Sequence, residues 1–196
     1  MVLRGNNRRK LFSYEPERTL FVAMLSDAIT LTGCKVHAVS LLLNHVHILI
    51  TPPTGDALSS CVHHFAHRYA RKRNRARNGS GKLFEERFLA KPIGDDAYLA
   101  TATAYVDLNP ERAFVSARAR AWSTLGWHCG QPESTRIPRS LWTPSPWYLG
   151  LGACDASRGA AYLSWIAECR ERDAVQQDAR PADSRRLDRP DGSSAR

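Results

Sequence analysis

Two short β-branched runs, Cys34 to Leu43 and His45 to Thr51, are separated by one turn residue, Asn44, and flanked by segments whose apolar residues recur at helical spacing. This switch of period commits the chain to a β-hairpin with one helix leading in and another leading out. The leading helix covers Glu15 to Leu31: Leu20, Phe21, Met24, Leu25, Ala28 and Ile29 repeat every three or four residues, Pro16 suits a first turn and Gly33 a stop. The trailing helix follows Pro52, Pro53 and Gly55, is capped by Asp56, and runs from Ala57 to about Asn74. Val2 and Leu3 read as the end of a strand, and Arg87 to Ile93 as a further one. Ala97 to about Leu108 reads as a helix that Asn109-Pro110 stops. The order β, α, β, β, α, β, α predicts the α+β class, a ferredoxin-like or RRM-like sandwich with an antiparallel sheet and its helices on one face.

With 196 residues there is room for one ordinary core and a smaller extension. Residues 1–125 are expected as the main domain, 126–172 as a C-terminal helical appendage built on an amphipathic helix from Arg158 to Cys169, and 173–196 as a disordered tail. Beyond Asp173 the larger apolar residues are only Val175 and Leu187. No apolar run approaches the roughly 20 residues of a membrane helix, and the first ten residues lack the apolar core of a secretory signal, so the expected location is the cytoplasm. Five cysteines, odd in number, scattered and without a Cys-x-x-Cys pair, read as buried thiols.

The formal net charge of +9 is concentrated. Nine basic residues (Arg68, Arg71, Lys72, Arg73, Arg75, Arg77, Lys82, Arg87 and Lys91) face two acids between His63 and Lys91, and Arg4, Arg8, Arg9 and Lys10 form a second group. Gathered positive charge is what a phosphate backbone attracts, so nucleic acid is the expected partner; a solvated helix face is the plainer alternative.

His45-Val46-His47 opens a strand, where alternation sends both imidazoles to one face, with Cα atoms about 7 Å apart. That spacing suits one divalent ion. On the Ala97 to Leu108 helix, Tyr98, Ala102, Tyr105 and Asn109 share a stripe, and Tyr105 and Asn109 are an i, i+4 pair. A phenol beside an amide oxygen reads as a nucleophile beside a metal ligand. Phenol ionises near pH 10, so Tyr105 needs a polarised phosphate to attack at neutral pH. Two neutral imidazoles and one amide favour Mg²⁺ or Mn²⁺ and leave the ion's charge for phosphate oxygens. Tyr98 is the rival nucleophile, although seven residues of helix put it about 10 Å from Tyr105. His63 and His67 could share a helix face, but no third ligand is evident beside them.

Taken together, Asn44-His45-Val46-His47-Ile48-Leu49, Gly81-Lys82-Leu83-Phe84-Glu85-Glu86-Arg87-Phe88, Asp95-Asp96-Ala97-Tyr98-Leu99, Tyr105-Val106-Asp107-Leu108-Asn109-Pro110 and Arg112-Ala113 resemble the ordered blocks of the REP-associated tyrosine transposases, members of the HUH single-strand transposases. The likeness spans about Arg4 to Trp122. It implies a metal-dependent nuclease on an RRM-like palm that cleaves and rejoins single-stranded DNA near hairpins through a 5′-phosphotyrosine. His45 and His47 match the metal pair, Tyr105 the nucleophile and Asn109 the third ligand. Single-stranded or hairpin DNA is the implied partner, with the protein acting as a monomer or homodimer and no membrane involved. Leu42-Leu43 departs from the Met-Pro usual before Asn-His, and Met1 stands only three residues ahead of Arg4, so either the start is misassigned or the edge of the sheet is shortened. A hairpin-DNA-binding protein that has lost turnover is the alternative.

Overall fold

A computed structural model describes residues 1–85, 88–113, 116 and 120–178, the side chains of 174–178 excepted. Helix α1 (Glu15–Thr32) starts where Glu17 reaches back: its carboxylate accepts from the backbone N–H of Ser13 at 2.6 Å and of Tyr14 at 3.2 Å. It ends at Gly33, whose φ of +69° is the left-handed cap that favours glycine. Strands β1 (Val2–Arg4), β2 (Lys35–Leu41) and β3 (His45–Thr51) pair antiparallel in the order β1-β3-β2.

Because β3 is central and alternates, Val46 and Ile48 point with Val36, Val39 and Leu41 into the main core, under α1 and α2 (Ala57–Ala76). There Phe21 meets Phe12, Phe65 and Tyr69 edge to face, with centroids 5.4, 5.4 and 5.2 Å apart. His45, His47 and Leu49 take the opposite face. Helix α3 (Asp96–Arg112) covers that face through Val106, packed on Ala38 and Leu49 beside Leu99 and Ala102.

The α+β class and the ferredoxin-like sandwich are as expected, but the helices divide between the two faces. α3 carries two apolar stripes: Leu99, Ala102 and Val106 meet the sheet, while Ala104 and Leu108 meet the C-terminal segment. It also runs past the expected stop, because Pro110 lies in the last turn, where its missing N–H costs one hydrogen bond; Ala113 N–H closes the helix on the Asn109 carbonyl at 3.0 Å.

The strand expected over Arg87 to Ile93 does not form among the described residues; Arg87 itself lies outside them. Leu89 makes one isolated bridge to Val2 and Phe84 one to Gly5, so this stretch lies along β1 in the place a fourth strand would take. Pro92 lacks the donor that a longer ladder needs.

Beyond Trp122 the chain forms α4 (Leu125–His128), α5 (Pro146–Leu149) and α6 (Asp155–Asp178). This segment covers the free edge of β2: Leu41 N–H donates to the Trp122 carbonyl, and Thr124 and Thr143 N–H donate to those of Val39 and Val36. Cys129, Trp142, Tyr148, Tyr162 and Ile166 pack on Ala104 and Leu108 of α3, whereas Trp122 joins the main core. α6 reaches Asp178, beyond the expected start of disorder at Asp173; the remainder of that tail lies outside the described residues. Cys34, Cys61, Cys129 and Cys169 are buried free thiols, but Cys154 is exposed. Among the described residues no helix is long and apolar enough to cross a membrane.

Candidate active site

Strand alternation on β3 and the last turns of α3 bring the sequence-predicted residues together. The His45 and His47 rings lie 4.9 Å apart, edge to face, and the His47 ring is 5.4 Å from that of Tyr105. Asn109 is near enough to His45 to act on its protonation, so α3 presents its i, i+4 pair to the imidazoles. His47 and Asn109 are each 7% exposed, while Tyr105 is 47% exposed.

Asn44, read from sequence only as a turn residue, fixes the first imidazole. His45 Nδ1 lies 2.8 Å from Asn44 Oδ1, and the Asn44 amide nitrogen donates to the Arg8 carbonyl at 3.4 Å. An amide oxygen only accepts, so Nδ1 carries the hydrogen and Nε2 is left with its lone pair toward the site. Asn7 and Arg8, at φ of +53° and +55°, hold the strained loop that supplies this carbonyl.

Burial, then the neighbouring His45, the amino terminus and Arg4, push His47 down to about 3. Burial and Arg4 also lower His45, partly offset by Asn109. Both rings are therefore neutral near pH 7, the form that ligates a cation. The same shift makes the fold acid-sensitive: an unfolded imidazole gains a proton below about 6.5, the folded His47 only near 3, so stability falls as pH drops through that window. His47→Gln is expected to flatten the decline of melting temperature between about pH 7 and pH 4, read by circular dichroism.

The Arg112 guanidinium lies 5.0 Å from the Tyr105 ring centroid and is held by Asp173 at 2.7 Å. Tyr98, the rival nucleophile, instead sits under the Lys91 ammonium at 4.8 Å. His37 has both ring nitrogens engaged, by the Thr143 carbonyl and the Thr51 hydroxyl, each at 2.9 Å, and serves packing. His63 and His67 stack on α2, beyond the other face of the sheet.

The basic residues separate into distinct groups. Arg4 stands opposite His45 in the β1–β3 register and so shares its face, with exposed Arg8 and Arg9 on the adjoining loop; Arg9 donates to the Lys82 carbonyl at 3.1 Å. Arg71, Lys72 and Arg75 are exposed on α2. Arg73 corrects the sequence reading: it is 6% exposed and donates to the Leu11 and Lys10 carbonyls at 3.1 and 2.6 Å, so it holds the loop before α1. Arg68 and Arg77 are paired with Asp27 at 3.0 Å and Glu17 at 2.7 Å.

Residues 1–109, ending on Asn109, match the family model described as Transposase IS200 like. The chain belongs to the IS200-like transposase family. A solved structure described as the REP-associated tyrosine transposase bound to a REP hairpin is similar to this IS200-like transposase, with a TM-score of 0.53 and 16% identity over 74% of this chain and 83% of that one. At that identity the likeness is one of fold. No curated protein matches.

His45, His47 and Asn109 would offer a divalent cation two imidazole nitrogens and one amide oxygen. Among the described residues no three of His, Cys, Asp and Glu cluster, so a cation here would rest on two neutral imidazoles and an amide oxygen. Such a set leaves positive charge for an anionic substrate to neutralise.

Proposed function

We propose that this IS200-like transposase cleaves and rejoins single-stranded DNA beside hairpins, with Tyr105 as nucleophile and His45, His47 and Asn109 as the ligands of Mg²⁺ or Mn²⁺. The observation that carries the reading is the placement of the half-exposed Tyr105 5.4 Å, ring to ring, from an imidazole held neutral by burial. The bound cation would polarise the scissile phosphate. Tyr105 Oη bonds to phosphorus, the bond from phosphorus to the 3′ oxygen breaks, and the phenolic proton passes by way of water to the released 3′-hydroxyl. The 5′-phosphotyrosine keeps the phosphodiester's energy, so a second 3′-hydroxyl reseals the strand by the reverse step. His47, a very weak base at a pKa of about 3, suits a ligand and not a proton acceptor. Arg4 and the Arg8–Arg9 loop rim the same face and would hold the backbone. The hairpin in the similar structure supports hairpin DNA as the partner.

The test is incubation of the full chain with single-stranded hairpin DNA and Mn²⁺, followed by denaturing electrophoresis. A covalent protein–DNA adduct is expected; binding without any adduct would favour the hairpin-binding alternative. Arg73 provides a separate check. Arg73→Met is expected to cost about 2–3 kcal/mol of stability, by loss of a buried charged donor, and to leave DNA affinity unchanged well below the melting temperature. Arg4→Ala with Arg8→Ala is expected to lower affinity and to reduce the salt slope by roughly 0.7 for each phosphate that the protein no longer neutralises.

A further inference from the structure

Asp107 lies two residues from both Tyr105 and Asn109, which at about 100° per residue places it on the back of α3. It is 1% exposed, yet its carboxylate accepts three hydrogen bonds from the C-terminal segment: Thr124 Oγ1 at 2.8 Å, His128 Nδ1 at 2.6 Å and Tyr162 Oη at 2.7 Å. The donors are themselves fixed. A carboxylate only accepts, so His128 Nδ1 carries the hydrogen that points at Asp107, while the Trp142 indole N–H donates to the His37 carbonyl at 2.9 Å and lies 3.2 Å from His128 Nε2. Thr124 Oγ1 also accepts from Val39 N–H at 3.0 Å, which ties the cluster to β2. Burial and Asp107 raise the Tyr162 phenol well above its usual range, keeping it a donor.

A buried carboxylate that accepts from these three groups cannot swing away without leaving polar atoms unpaired. The cluster therefore sets the rotation of α3. At a helix radius of about 5–6 Å, a turn of about 10° moves a side-chain tip by about 1 Å, and such a displacement can cost about a hundredfold in rate.

We propose that Asp107 is a positioning residue for strand cleavage: clasped by Thr124, His128 and Tyr162, it turns Tyr105 and Asn109 toward the histidine pair. The C-terminal segment is on this view part of the cleavage machinery, although none of its clasp residues touches substrate. The inference rests on the reading of Tyr105 as nucleophile and Asn109 as ligand.

The test uses the full chain and three variants. Tyr162→Phe removes one donor and keeps the ring; Thr124→Val removes the hydroxyl and Thr124→Ser keeps it. Melting is followed by circular dichroism, Mn²⁺ affinity by paramagnetic resonance of the free ion, and adduct formation as a single-turnover rate at saturating hairpin DNA. Well below melting, Tyr162→Phe and Thr124→Val are expected to slow the adduct by at least about tenfold and to weaken Mn²⁺ binding by about threefold or more, with DNA affinity within about twofold and Thr124→Ser near wild type. If Thr124→Val fails to fold, Tyr162→Phe decides. Folded variants that melt earlier but match wild type in rate and Mn²⁺ affinity would overturn the positioning role and leave the cleavage reading standing. A wild-type chain that neither binds Mn²⁺ nor forms the adduct would overturn both.

Discussion

Tyr105→Phe is expected to abolish the covalent protein–DNA adduct, a loss of at least about a thousandfold in cleavage, while Tyr98→Phe keeps it. The two substitutions are matched: each removes one oxygen from the same helix and leaves the ring. The difference lies in what surrounds the oxygen. Tyr105 stands beside His47 and is half exposed, whereas Tyr98 lies against Lys91 in the first turn of α3. Tyr105→Phe should leave the fold intact, because the ring keeps its place near Arg112 and the hydroxyl of an exposed residue supports nothing in the core. Hairpin DNA binding, measured by anisotropy, is expected to stay within about twofold of wild type, since basic side chains on the phosphates supply most of the affinity. The reverse pattern, with the adduct lost only in Tyr98→Phe, would remove Tyr105 from the mechanism.

How much of this site is legible in the sequence follows from the range of the interactions involved. The pairing of His45 with His47 is a period-two fact, and that of Tyr105 with Asn109 a period-four fact, so both are readable locally. Their meeting depends on which face of the sheet α3 covers, and there the pattern misleads: one apolar stripe suggests helices on a single face, whereas α3 has a second stripe for the C-terminal segment. Arg73 departs from the sequence reading for a related reason. Its neighbours Arg71, Lys72 and Arg75 are solvated, but 73 falls on the stripe of Phe65 and Tyr69, at spacings of eight and four residues, which helical periodicity marks as inward. The grouping of Asp107 with Thr124, His128 and Tyr162 escapes the sequence because its partners lie 17 to 55 residues away with no shared motif. An acid between Val106 and Leu108, the apolar residues of two different faces of α3, is the available signal.

The second large effect concerns the proposed ligands. His47→Ala, His45→Ala and Asn109→Ala are each expected to reduce adduct formation by at least about a hundredfold, with Mn²⁺ affinity falling in parallel and hairpin DNA binding largely retained. The three substitutions should not be equivalent in stability. His47 is nearly buried and packed against both His45 and Tyr105, so His47→Ala opens a cavity as well as removing a donor, at a cost of about 2–4 kcal/mol. His45 is less buried and is held at one nitrogen by Asn44, so its truncation should be milder for the fold and equally severe for cleavage. This gives a separation within one measurement set: if the residues act only by packing, the loss of activity should rank with the loss of melting temperature, His47 well ahead of His45. If they hold a cation together, all three lose Mn²⁺ binding and cleavage alike whatever their stability. Asn44→Ala extends the same logic one residue further from the cation, since it frees the His45 ring to rotate and change tautomer without removing a donor, and an intermediate loss of about 10–100-fold in Mn²⁺ affinity is expected there.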